Sequence, residues 1–146
     1  MVYIQKNLKN YKLYCCICGS REFTDYSILE KSLSSVIKPT QPCIIVSGTA
    51  RGADRLGELY AEKHSLDCLK FPADWDKHGK KAGMIRNKEM AKCADRFFIF
   101  WDGLSHGTRG MLSTVKSLNK PYHLFNLHGD LIYEYTGKHD LYSWLA

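Results

Sequence analysis

Short apolar runs alternate along this chain with longer stretches whose apolar positions recur at helical spacing. Residues 12–18 (KLYCCIC) are rich in strand formers and stop at Gly19, which predicts a first strand. Ile28, Leu29, Leu33, Val36 and Ile37 follow a helical period over 25–37, and Pro39 and Pro42 close that segment. Residues 43–47 (CIIVS) read as a strand covered on both faces. A helix over 53–64 carries Leu56, Leu59 and Tyr60 on one side, and a strand is expected at 67–71, before Pro72. A loop holding Trp75, Gly79 and Gly83 then leads to a helix near 84–93. Residues 96–101 (RFFIFW) are the strongest strand signal, followed by a helix at 108–118 and a strand at 122–127. The run LIYEY after Gly129 and Asp130 alternates like an antiparallel edge strand or an oligomer contact.

Repeated strand–helix order with right-handed crossovers predicts an α/β, Rossmann-like, three-layer domain. Its sheet is expected to be mainly parallel, with about five strands plus a C-terminal edge strand. At 146 residues the chain has room for one core, so residues 1–146 are read as a single domain: a core at about 12–125 and an extension at 126–146.

Composition narrows the function classes. No stretch is long and apolar enough for a membrane span, and the start, MVYIQKNLKN, has no secretory apolar region. The expectation is a cytoplasmic protein with no membrane partner, in the host cytoplasm if the chain is viral. Six cysteines are read as reduced thiols. Cys15 and Cys18 have the CxxC spacing, but three residues apart in a strand they face opposite ways and cannot share a metal. Neither a metal nor a cofactor is expected. The net charge is +6, and residues 77–92 carry nearly all of that surplus: Lys77, Lys80, Lys81, Arg86, Lys88 and Lys92 against Glu89. Such a segment is either a solvated helix face or a rim that attracts phosphate. Tyr133, Tyr135, Tyr142 and Trp144 suggest a homo-oligomer interface, or else aromatics covering the domain's own core.

Chemistry gathers just after the strands, on the edge where open α/β sheets take ligands. Gly19, Ser20 and Arg21 combine a tight backbone turn, a hydroxyl and a guanidinium able to grip phosphate. Gly48, Thr49, Ala50, Arg51, Gly52 and Asp54 run from a buried strand into a helix, exposing N–H groups at the positive end of its dipole. Asp54 in that first turn either touches ligand or complements the dipole. This loop is neither a Walker A motif nor a GxGxxG fingerprint. Trp75 in a polar loop suits stacking on a base or covering the core, while Arg86 and Asn87 open the next helix. Trp101, Asp102, Ser105, Gly107 and Thr108 form a fourth cluster at another helix start, and His106 there reads as a solvated loop residue more readily than as a base.

The ordered set GSR, SGTARGAD, FPADW, AGMIRN and ADRFFIFWDGLSHGT, covering roughly 12–125, resembles the small SLOG-superfamily proteins of the YpsA-like branch. The resemblance implies a Rossmann-like module. Related members include the LOG nucleotide phosphoribohydrolases, the DNA-processing protein A family, sensor domains for NAD-derived or cyclic nucleotides in antiviral systems, and small phage proteins. LOG enzymes carry PGGxGTxxE, whose glutamate serves hydrolysis. Here no acid follows Gly107 and Thr108, whereas the arginine of the LOG MxxRK stretch is kept as Arg86. Asp102 is the candidate substitute carboxylate, with Asp54 the other. The expectation is therefore a protein that senses or sequesters a phosphorylated nucleotide or ADP-ribose-type ligand, in a phage as a counter-defence sponge. The alternatives are a LOG-type N-glycosidase or hydrolase and a DNA-binding protein of the DNA-processing protein A type. Against nucleic acid stands the lack of interleaved aromatics along the basic stretch.

Overall fold

A computed structural model describes residues 12–137. In chain order it forms strand β1 (Leu13–Gly19), helix α1 (Tyr26–Ser34), β2 (Cys43–Ser47), α2 (Ala53–Lys63) and β3 (Cys68–Lys70). There follow a short helix α3 (Trp75–His78), a 3-10 turn (Gly79–Lys81), α4 (Ala82–Cys93), β4 (Arg96–Phe100), α5 (His106–Ser117), β5 (Tyr122–Phe125) and β6 (Leu131–Tyr135).

The six strands make one sheet in the order β3-β2-β1-β4-β5-β6. All neighbours run parallel except β6, which returns antiparallel to β5 with a register shift between Leu124 and Phe125. β1 lies at the centre, with Cys15 opposite Ile45 of β2 and Arg96 of β4. Both faces of the sheet are covered, which is why its inner strands are apolar without alternation. Leu13, Cys15 and Ile17 pack with Leu29 and Leu33 of α1 and Tyr60 of α2 on one face. Cys16 and Cys18 pack with Met90 of α4 and Met111, Leu112 and Val115 of α5 on the other. Cys15 and Cys18 thus belong to opposite faces.

The expected elements are present, with differences at their ends. α1 stops at Ser34 rather than near 37, and the N–H groups of Val36 and Ile37 both fold back onto Leu33 O. Pro39 disfavours helical geometry at the residue before it, so the turn cannot be continued. β3 has three residues, as suits an outer strand, and β4 and β5 end at Phe100 and Phe125. The larger correction is at Trp75, expected in a loop: it opens α3, because the Asp74 carboxylate caps the turn by accepting from Lys77 N–H at 3.0 Å. α4 and α5 each begin two residues earlier than expected. Of the aromatic tail, Tyr133 and Tyr135 lie in β6, and Tyr142 and Trp144 fall outside the described residues. Among the described residues no helix is long and apolar enough to cross a membrane.

Candidate ligand-binding groove

β1 and β4 are neighbours in the sheet, yet the helices that follow them pack on opposite faces. The loops after these strands must diverge, and a crevice opens between them at the switch point. Gly19 brings the two strand ends together. A Cβ there would lie 1.9 Å from Phe100 O, and its φ of 148° is one that residues with side chains rarely adopt. Phe23 anchors the loop that follows, stacking on Phe100 at 4.7 Å, and Phe100 stacks in turn on Phe125 at 4.7 Å.

The loop after β4 is held by polar bonds. Ser20, 1% exposed, accepts from Asp102 N–H through its hydroxyl at 3.1 Å and sits 3.3 Å from the Ser105 hydroxyl. Asp102 Oδ1 accepts from the N–H groups of Leu104 at 2.8 Å and Ser105 at 2.9 Å. Those bonds, Leu104's foremost, hold the Asp102 carboxyl below the ordinary carboxylate range. The Trp101 indole donates to Ser105 O at 3.1 Å, and the Arg109 guanidinium lies over its ring. α5 therefore starts from a fixed point. Ser105 makes no side-chain cap, so the first-turn N–H groups are left for another acceptor.

The loop after β2 is fastened in a different way. Thr49 takes a left-handed φ of 65°, and its N–H donates to the Ser47 hydroxyl at 3.1 Å. Gly52 packs so closely on the first loop that a Cβ would come within 2.4 Å of Ser20 O. Ala50 N–H donates to Asp54 Oδ2 at 3.1 Å. Arg86, reaching over from α4, donates through Nη1 to Gly48 O and through Nε to Asn87 Oδ1 at 2.8 Å. Asp54 is 5% exposed, and burial pushes its carboxyl up to about 6. The Ala50 N–H, Arg86 and Arg21 oppose that rise, and Glu58 adds to it.

These loops enclose a cavity of about 440 Å³ lined by Gly19, Arg21, Ala50, Asp54, Arg86, Asn87, Asp102, Ser105, His106, Gly107 and Thr108. Beside it lies a second cavity of about 320 Å³, lined by Gly48, Thr49, Arg51 and Trp75. Arg21, Ala50 and Arg86 line both, so the two are lobes of one groove. The inner lobe carries the open N-terminus of α5, and the outer one carries Trp75, which is 53% exposed.

Of the residues singled out in the sequence, Ser20, Gly52 and Trp101 line neither lobe; their contacts place the loops instead. Arg51 stands at the rim in an exposed ion pair with Glu22 at 2.9 Å. Sequence reasoning passed over Cys18, Glu22, Met90, Leu104 and Met111 of the inner lobe and Pro72 and Ala73 of the outer. Leu104 had a signal, a lone leucine in a polar loop, and it is 76% exposed at the mouth. Met90 and Met111 had none, because their spacing is that of ordinary core positions.

A protein family described as YspA, cpYpsA-related SLOG matches residues 15–78. The gene 61 protein of Mycobacterium phage D29 is 33% identical over 112 residues, which are 72% of this chain and 90% of that protein. Among solved structures, DNA processing protein A of Helicobacter pylori, described by its mode of binding single-stranded DNA, aligns with a TM-score of 0.57. It is 18% identical, over 82% of this chain and 68% of that one. The Streptococcus pneumoniae DNA processing protein A aligns at 0.60 with 14% identity, over 81% of this chain and 51% of that one. At such identities these two structures bear on the fold.

Proposed function

We propose that this chain, which belongs to the YspA, cpYpsA-related SLOG family, binds a phosphorylated nucleotide or ADP-ribose-type ligand in the groove between its β1, β2 and β4 loops. The observation that carries this reading is the groove's chemical polarity. Arg21 and Arg86 stand in both lobes, and the inner lobe adds the uncapped N-terminus of α5, so the anion-attracting features converge there. The outer lobe offers an exposed indole of the kind bases stack on. A phosphate in the first and a base in the second match the two ends of a nucleotide.

Sensing or sequestering is favoured over turnover. Asp102, the carboxylate in the β4 loop, is committed to capping Leu104 and Ser105. Its lowered proton affinity makes it a poor general acid. The phage relative fits a protein that withdraws a signalling nucleotide from a host defence. Mass spectrometry of small molecules released on denaturing the purified protein tests the proposal. An intact nucleotide is expected. A base together with a sugar phosphate would assign hydrolysis, and a protein that releases nothing and ignores added ADP-ribose and AMP would end the nucleotide reading.

One observation favours a second reading. Trp75 lines the outer lobe, and Lys77, Lys80, Lys81 and Met84, which follow it in the chain, are all exposed, which suits a single strand of nucleic acid continuing out of the groove. Retention of a fluorescent oligonucleotide at 150 mM salt, competed by mononucleotide, would support it.

A further inference from the structure

We infer that Asp54 receives a ribose hydroxyl of the bound nucleotide, so that the groove selects ribonucleotides over deoxyribonucleotides. The inference rests on the nucleotide reading above and deepens it. Asp54 is 95% buried by the 5% of its surface that remains exposed, yet it lines the inner lobe. One of its oxygens, Oδ2, is occupied by Ala50 N–H. The other makes no hydrogen bond among the described residues. That oxygen is not sealed from solvent, so it is open to the groove and within reach of a ligand donor.

The position of Asp54 says which donor. Arg86 and Ala50 line both lobes, and Asp54 touches that junction. A methyl group on Gly48, in the outer lobe, would lie 2.8 Å from Asp54 Oδ2 and 3.0 Å from Arg86 Nη1. The carboxylate thus stands where the indole lobe meets the anion lobe. In a molecule with its base on Trp75 and its phosphate at the start of α5, the part at that junction is the sugar. A phosphate would be repelled by Asp54, and the base lies beyond Gly48. A sugar hydroxyl is a donor of the right kind and carries no charge to oppose Arg86. The same bond is absent in a deoxy sugar.

Isothermal titration of the four ribonucleoside 5′-monophosphates, each beside its 2′-deoxy and 3′-deoxy counterparts, tests this on the wild-type chain and on Asp54→Asn. Removal of at least one hydroxyl is expected to weaken the best-binding nucleotide by about tenfold to a hundredfold, as for a charge-assisted hydrogen bond. In Asp54→Asn that ratio should shrink severalfold, while the weaker deoxy analogue binds the variant at least as well as it binds the wild type. Loss of the loop staple alone would weaken all analogues alike and leave the ratio unchanged, which would overturn the inference. Equal binding of ribo and deoxy forms by the wild type would overturn it without any variant, and would leave the nucleotide reading standing. Binding of none of the nucleotides would remove both.

Discussion

The two lobes of the groove are built on different terms. Loops that leave the central strands β1, β2 and β4 form the inner lobe, and those loops are bonded to each other: Ser20 to Asp102, Gly52 against Ser20, Arg86 to Gly48. The outer lobe shares the β2 loop and adds α3 with the residues before it, where the Asp74 carboxylate caps the turn. Trp75 is 53% exposed, and its ring lies 3.5 Å from where a Cβ on Gly83 would stand. A site that must fix a phosphate gains from donors already held in place, because no ordering cost falls on binding. A platform for a flat base needs area more than direction. The difference teaches where fold stability and ligand affinity are entangled, and where they separate.

The largest expected effect breaks the inner lobe outright. Gly19→Ala puts a methyl into the Phe100 carbonyl, and destabilisation of about 3–5 kcal/mol is expected from overpacking plus backbone strain. Urea denaturation measures it. Gly103→Ala serves as the contrast: it is strained by a φ of 81° but meets nothing within 4 Å, so it should cost about 1–2 kcal/mol. Equal losses would show that the closeness of the β1 and β4 ends is unimportant.

Next comes the cost of Asp54. Its carboxyl is raised by burial to about 6 in the folded chain, against an ordinary 3.8 when unfolded. Below about pH 4 it is protonated in both states and costs nothing. As pH rises through the interval the unfolded chain loses its proton first, so the fold loses up to about 3 kcal/mol, all of it gone above pH 6. Asp54→Asn should therefore be more stable relative to wild type at pH 7.5 than at pH 4. A difference in unfolding free energy that is the same at both pH values would refute this. Arg86, Arg21 and Glu58 face the group and share in setting the midpoint.

The two arginines sharpen the comparison. Arg21→Ala and Arg86→Ala should each weaken nucleotide binding by about tenfold to a hundredfold. Only Arg86→Ala should also lower stability, by about 1–2 kcal/mol, because its guanidinium holds the Gly48 carbonyl. Arg21 is exposed and makes no such bond among the described residues. Calorimetric titration beside thermal melts separates the two effects, and equal melting losses would contradict the assignment.

On the outer lobe affinity should change without stability. Trp75→Ala removes an exposed ring, with a stability change within about 0.5 kcal/mol. The lost stacking should weaken AMP by about fivefold to a hundredfold and leave ribose 5-phosphate untouched. A parallel loss for both ligands would place the base elsewhere. The smallest effect belongs to Lys80 and Lys81. Reversing both charges should weaken binding only modestly at low salt and flatten its salt dependence, since exposed charges act over about 10 Å at 0.1 M. An unchanged salt slope would make them part of a solvated face.

The alternation of strands and helices was legible from the chain alone, because buried strands such as CIIVS and RFFIF are apolar runs bounded by small or turn residues. So was the edge that carries the chemistry: glycine and small polar residues follow β1, β2 and β4, where a parallel sheet turns into helices. Which strand lies beside which was not written locally. β4 sits next to β1 through pairings such as Ile17 with Phe98, some 80 residues apart, and no local pattern encodes that choice. The roles within the site depended on that pairing. Ser20 and Gly52 look like ligand residues in a linear reading, yet each is consumed by a neighbouring loop once β1, β2 and β4 are side by side, while the Trp101 indole is taken up by Ser105 O of its own loop. Trp75 read as a loop residue because a one-turn helix has too few positions to show a period. The sequence determined that a carboxylate would stand at position 54; only the tertiary structure could bury it at the junction of two lobes, because burial is a property of what distant segments leave uncovered.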